Sequence, residues 1–177
     1  MKYFDEIKKS MEYLAKNKDT VFLGQAVRVP GTAMFNTLRD IDKKKKIELP
    51  VAEEMQMGMS LGMALEGYLP ITIYPRWNFL LLATNQLVNH LDKISEISNN
   101  KINPQIIIRT AVGSIRPLDP QSQHKGDFSG PFKKMCKNID FYKITKANEV
   151  FSTYKKAFNN KKKISIIVEI ADFYNEK

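Results

Sequence analysis

One cysteine, Cys136, is all the sulfhydryl chemistry this 177-residue chain contains. A single cysteine excludes a disulfide within the chain and any cysteine-rich metal site. Long apolar runs are missing as well. "NFLLLA" (78–83) and "ISIIVEI" (164–170) stop far short of the roughly 20 residues that a membrane-spanning helix needs. The opening "MKYFDEIKKSMEYLAKNK" mixes charged and apolar residues throughout, without the apolar core of a secretory signal. A cytoplasmic protein with no membrane segment is therefore the expectation. There is no internal repeat, no linker and no low-complexity block beyond two lysine runs. Residues 1–177 thus read as one domain, long enough to bury a real core.

What the chain has in excess is lysine. Its formal net charge is +9, and lysine supplies most of it, notably in "DKKKK" (42–46) and "NNKKK" (159–163). Both runs adjoin expected strands, without interleaved aromatics or a recognisable nucleic-acid module. Solvated lysines at loop tips are the simpler reading, and a nucleic-acid partner is not expected. The 43% hydrophobic and 27% charged content is that of an ordinary globular protein.

Periodicity alternates along the chain. Phe4, Ile7, Met11 and Leu14 recur at helical spacing over 3–17. "TVFLG" (20–24), "KIEL" (46–49), "LPITIYP" (69–75), "PQIIIRT" (104–110), "DFYKIT" (140–145) and "ISIIVEI" (164–170) read as strands. Helices are expected over 33–40, from Glu53 to Gly67, over 78–98 and over 147–159, with a Gly, Ser, Pro and Asp-rich loop at 111–131. Continuously apolar strands alternating with helices predict a mainly parallel sheet covered on both faces, a three-layer α/β/α domain. Such sheets place ligands beyond the carboxyl ends of their strands. Pro50 with Glu53, the segment 75–79 and the loop after Thr110 all fall there.

The helix entered through "LPVAEEMQMGMSLGMALEGYLP" (49–70) poses a question. It is apolar on nearly every face, which predicts burial all round, yet it opens on two carboxylates, Glu53 and Glu54. The macrodipole alone favours acids there, by about 0.3–1 kcal/mol.

Residues 50–89 resemble, without a gap, the start of the beta subunit of pyruvate and branched-chain 2-oxoacid dehydrogenases. That region is the pyrimidine-binding domain of transketolase-like thiamine diphosphate enzymes. The resemblance rests on an ordered set: Pro50 and Glu53, Gly58 and Gly62, Gly67 and Pro70, Asn78 and Phe79, Gln86 and Asn89. A Gln-His pair, Gln123 and His124, follows in a later loop about two residues longer than is usual. Cys136 and the strand-helix-strand after it also fit.

The resemblance implies roles. The glutamate matching Glu53 hydrogen-bonds a ring nitrogen of the cofactor's aminopyrimidine and promotes the tautomer that removes the thiazolium proton. The thiazolium chemistry belongs to the cofactor; the protein supplies tautomer control and placement. Glu54 is then only a helix-start acid. Phe79 matches the aromatic that packs on the pyrimidine, with a core phenylalanine as the plainer alternative. His124 matches a histidine on the substrate side of the thiazolium, assigned to acid binding or proton transfer; an exposed loop histidine is the alternative. His90, among Leu87, Val88 and Leu91, reads as structural. The small residues Gly58, Ser60, Gly62 and Ala64 allow close backbone approach, either across a subunit interface or to the domain's own sheet.

Two family features are missing. The Gly-Asp-Gly segment and later Asn that hold diphosphate through Mg²⁺ have no counterpart: "GDFSG" (126–130) is a chance near-match, and Asn159 and Asn160 come too late. The expected cofactor is thiamine diphosphate with its Mg²⁺ held by an alpha-like partner chain, and no metal ligand is assigned here. The family's carboxyl-terminal domain is also not found after the last strand. The implied protein is the beta-like half of a two-chain enzyme acting on a 2-oxo acid, in a heteromer of two alpha-like and two such chains, self-associating through the small-residue helix. A split transketolase acting on a keto sugar and a non-catalytic structural partner are the alternatives. Asn85, where the dehydrogenases usually carry Asp, and Arg76 with Trp77 depart from the family pattern.

Overall fold

Leu69–Tyr74 and Ile106–Val112 are buried at every position, and Ile164–Ile170 at all but the last. Strands of this kind need cover on both faces, and the fold supplies it. The computed structural model describes residues 1–113, 115 and 119–175. Their strands are β1 (Thr20–Gly24), β2 (Lys46–Glu48), β3 (Leu69–Tyr74), β4 (Ile106–Val112), β5 (Asp140–Lys143) and β6 (Ile164–Ile170). They form one sheet in the order β2-β1-β3-β4-β6-β5, with every neighbouring pair parallel. The expectation of a mainly parallel sheet is met.

Helix α1 (Tyr3–Ala15), α2 (Ala33–Thr37) and α7 (Ala147–Asn159) cover one face. Ile7, Met11 and Leu14 join Phe22, Ile71, Ile107 and Ile167 in that core, while Tyr13 sits edge-on to both Phe151 and Phe158. The other face carries α3 (Glu53–Leu65), α4 (Trp77–Leu80), α5 (Ile94–Ile97) and α6 (Ser129–Met135). There Met57, Trp77, Leu80, Leu87 and Phe132 pack with Ile106, Ile108 and Ile166. Cys136 is buried in this layer, and burial pushes its thiol up to about 12. No helix among the described residues is long and apolar enough to cross a membrane.

A charged pair lies inside the first layer. Arg109 on β4 donates from Nε to Glu169 Oε1 at 2.7 Å and from Nη2 to Oε2 at 2.9 Å, and both side chains are fully buried. Its Nη1 reaches Thr37 Oγ1 at 2.8 Å, and the hydroxyls of Tyr154 and Tyr174 also donate to Glu169. Burial works against the guanidinium charge, but Glu169 beside it holds Arg109 above its ordinary range. Burial, then the charge on Glu169, raises both tyrosines.

Three expectations need correction. The helix expected over 78–98 is an interrupted run: α4, a 3-10 turn at Leu81–Ala83, a π turn at Gln86–Leu91, then α5. Asp92 N–H bonds to Leu87 O at 2.9 Å, the wider spacing of a π turn. The loop expected at 111–131 ends in α6, which begins at Ser129. Helix α3 is not buried all round. Its inward face is Glu53, Gln56, Met57 and Ser60, whereas Met55, Gly58, Gly62 and Leu65 are exposed. The polar residues face inward because the sheet offers them partners: Gln56 Nε2 donates to Thr72 Oγ1 and Ile73 O, both at 2.9 Å.

Candidate functional site at the carboxyl edge of the sheet

Glu53 begins α3 just beyond β2, so the helix axis points its amino end at the sheet's carboxyl edge. It is 3% exposed, a rare state for a carboxylate. Gln25, the residue after β1, donates Nε2 to Glu53 Oε1 at 3.0 Å. Gln25 is itself placed by two devices. Gly24 takes φ +141°, and a Cβ there would stand 2.2 Å from Ile73 O and 2.9 Å from Gln56 Nε2, so only glycine allows β1 to end this close to β3. Glu48 then pins the following turn, accepting the N–H groups of Ala26, Val27 and Arg28 at 2.7, 2.8 and 2.6 Å. Tyr74, whose hydroxyl burial raises in pKa, donates to the Glu53 carbonyl at 3.2 Å. Glu54, by contrast, is exposed.

A cleft of about 530 Å³ opens beside this acid, lined by Ala52, Glu53, Glu54, Met55 and Leu82. Phe79 lies on the same edge at the start of the interrupted helical run, and the ring of His124 rests on it, with centroids 5.0 Å apart and planes 34° apart. The loop carrying His124 is tied down twice. Arg76 Nη1 donates to Gly113 O at 3.0 Å and His124 O at 3.3 Å, and Asn78 Nδ2 donates to Gln123 O at 3.0 Å. Three polar atoms around these residues are buried without a partner: His124 Nδ1, Asn78 Oδ1 and Gln86 Oε1. A buried polar atom left this way calls for a partner, whether water, an ion or a bound group.

The expected site residues thus divide. Phe79 and His124 are brought into direct contact, and Glu53 occupies the same edge with a cleft at its side. His90 is exposed rather than part of the core. Asp127 of "GDFSG" is occupied structurally: Oδ1 accepts from Ser129 N–H at 2.9 Å, and Oδ2 pairs with Lys143 Nζ at 2.7 Å. Burial works to raise its pKa, but the bonds from Lys143 and Ser129 hold it below the usual carboxylate range. Gly58 and Gly62 have nothing within 4 Å of where a Cβ would stand, so packing against the chain's own sheet does not require them. Both lysine runs lie where chain enters strands, Lys43–Lys45 before β2 and 161–163 before β6, at the edge opposite this site.

Sequence reading missed Gln25 and the tethering role of Arg76. Gln25 carried one signal: it directly follows the end of an apolar strand, where parallel sheets gather functional groups.

No protein-family model matches the chain. Among curated proteins it is similar to the pyruvate dehydrogenase E1 component subunit beta of Gracilaria tenuistipitata var. liui, 29% identical over 127 residues, covering 69% of this chain and 39% of that subunit. It is also similar to the 2-oxoisovalerate dehydrogenase subunit beta of Bacillus subtilis (strain 168), 28% identical over 117 residues, covering 64% of this chain and 36% of that subunit. The chain spans less than two-fifths of the length of these relatives. Among solved structures, a split gene transketolase, an inactive beta4 tetramer, superposes with a TM-score of 0.67 at 13% identity, over 94% of this chain and 50% of that one. In sequence this chain is similar to 2-oxoacid dehydrogenase beta subunits, and it shares its fold with the split gene transketolase.

Proposed function

We propose that the chain is the pyrimidine-binding, beta-like part of a two-chain thiamine diphosphate-dependent enzyme acting on a 2-oxo acid. The observation that carries this reading is Glu53: a buried carboxylate with one oxygen held by Gln25 and an open cleft alongside. The donor set suits an aminopyrimidine, with a carboxylate for a ring nitrogen, the Phe79 face for the ring, and unpartnered polar atoms nearby. When bound, the cofactor would supply the nucleophilic carbon that chemistry at a 2-oxo acid's keto group requires.

The chain's own residues do the rest. Gln25 fixes one carboxylate oxygen of Glu53 and leaves the other to hold or share a proton with the ring nitrogen. Phe79 orients the ring. His124, braced from behind by Phe79 and through its carbonyl by Arg76, offers an unpartnered Nδ1 for a proton or a hydrogen bond. Metal and diphosphate fall to an alpha-like partner, because Asp127 is engaged elsewhere. The exposed Met55, Gly58, Gly62 and Leu65 of α3 are where the partner or a second copy packs. A location in the cytoplasm and a heterotetramer belong to the same reading.

The test is exchange of the thiazolium proton for deuterium, which needs no knowledge of substrate, measured on the complex recovered with the tagged chain. Glu53→Gln should slow exchange by about two to four decades while changing cofactor affinity little, and Glu54→Gln should leave it unchanged. Equal exchange in wild type and both variants would reduce the two acids to a helix-start effect.

A further inference from the structure

Arg76 is a half-buried cation with no acid in contact among the described residues. It lies just beyond β3, and burial lowers its pKa, with Asp172 and then Asp119 opposing that only from a distance. Among the described residues, no carboxylate comes within ion-pair reach of it. Asp119 pairs with Lys125 at 2.6 Å, and Asp172 Oδ1 accepts the Ile115 N–H at 2.6 Å. Burying an uncompensated charge is costly, and two carbonyls offset only part of that cost.

The guanidinium presents five N–H groups. Nη1 makes both of the bonds to Gly113 and His124. The edge formed by Nε and Nη2 meets no acceptor among the described residues. That edge grips a carboxylate through two parallel hydrogen bonds. It belongs to the residue that holds the His124 carbonyl, and the His124 ring lies on Phe79.

We propose that Arg76 binds the carboxylate of the 2-oxo acid, making it the residue of this chain that selects an anionic substrate. The assignment rests on the function proposed above. A neutral keto compound leaves the fork unpaired. A phosphate dianion brings a second negative charge toward Asp119 and Asp172, and Lys125 is already committed to Asp119. One planar fork facing a single negative charge fits a carboxylate.

The chain contains one tryptophan, and Trp77 directly follows Arg76, so its fluorescence reports binding in the chain by itself. Titration with pyruvate should give a saturable change, acetone and sulfate should give none, and Arg76→Met should weaken the pyruvate response at least tenfold. In the complex, Arg76→Met should raise KM for the 2-oxo acid by about 10–100-fold, with thiazolium exchange, which involves no substrate, at the wild-type rate. Arg76→Lys keeps the charge and a donor for the carbonyls, so it should restore the melting temperature but only part of the KM. Three outcomes overturn the assignment: no pyruvate response in wild type, an unchanged KM in Arg76→Met, or an exchange rate that falls as it does for Glu53→Gln. The last would mean that Arg76 only braces the loop. Failure of the underlying function is visible separately, in a wild-type complex that turns over a ketose phosphate and no 2-oxo acid.

Discussion

Gln25 and Glu53 come from consecutive strand ends and meet through one hydrogen bond, Nε2 to Oε1 at 3.0 Å. The amide donates, so it satisfies that oxygen only as an acceptor and holds the carboxylate in one orientation. Gln25→Leu keeps most of the volume and leaves a buried oxygen without its donor, a cost of about 1–3 kcal/mol. Thiazolium exchange in the complex should slow by about tenfold, less than for Glu53→Gln, and the melting temperature should fall modestly. An exchange rate equal to wild type would remove Gln25 from the site.

Because Asp127 is spent on Ser129 and Lys143, the chain alone should bind thiamine diphosphate weakly whether or not Mg²⁺ is present. Calorimetry on the chain with and without its co-purified partner checks this. Tight, Mg²⁺-dependent binding by the isolated chain would contradict a divided site.

The outer face of α3 should become protected on assembly. Hydrogen exchange at 55–65 should slow in the complex relative to the isolated chain, with scattering showing the larger species. A Cβ added at Gly58 or Gly62 meets nothing within 4 Å, so Gly58→Leu with Gly62→Leu should leave the monomer's fold intact and disrupt assembly.

Among the described residues, Glu169 is the one counter-charge in contact with fully buried Arg109. Glu169→Ala strands that cation and two tyrosine hydroxyls, and should cost about 3–5 kcal/mol, read as a large drop in denaturant midpoint. Replacing both members, Arg109→Met with Glu169→Leu, should recover much of the loss.

Asp127 contributes an acid-sensitive share of stability. Its folded pKa lies below the ordinary value, so the unfolded chain takes up a proton first as pH falls. The contribution is complete above about pH 4, the unfolded carboxylate value, and is lost as pH drops through the lower folded value. Asp127→Asn should therefore melt below wild type at pH 6, and the difference should shrink as the pH is taken below about 4.

Much of this protein was determined by local pattern. Largely apolar runs without alternation, such as "QIIIRT" and "ISIIVEI", suit strands covered on both faces, the setting of a parallel sheet between helix layers. Glu53 was not separable from Glu54 by local pattern, since the macrodipole favours an acid at either position; only the resemblance distinguished them. Local pattern did not decide which side of α3 faces inward. Apolar residues surround that helix, and the choice went to the side where Gln56 finds Thr72 and Ile73 on a neighbouring strand. Arg109 with Glu169, Gln25 with Glu53, and Arg76 with the His124 carbonyl likewise exist only in three dimensions. Each joins residues from separate elements, and a polar side chain's value depends on the partner it meets once burial has removed water.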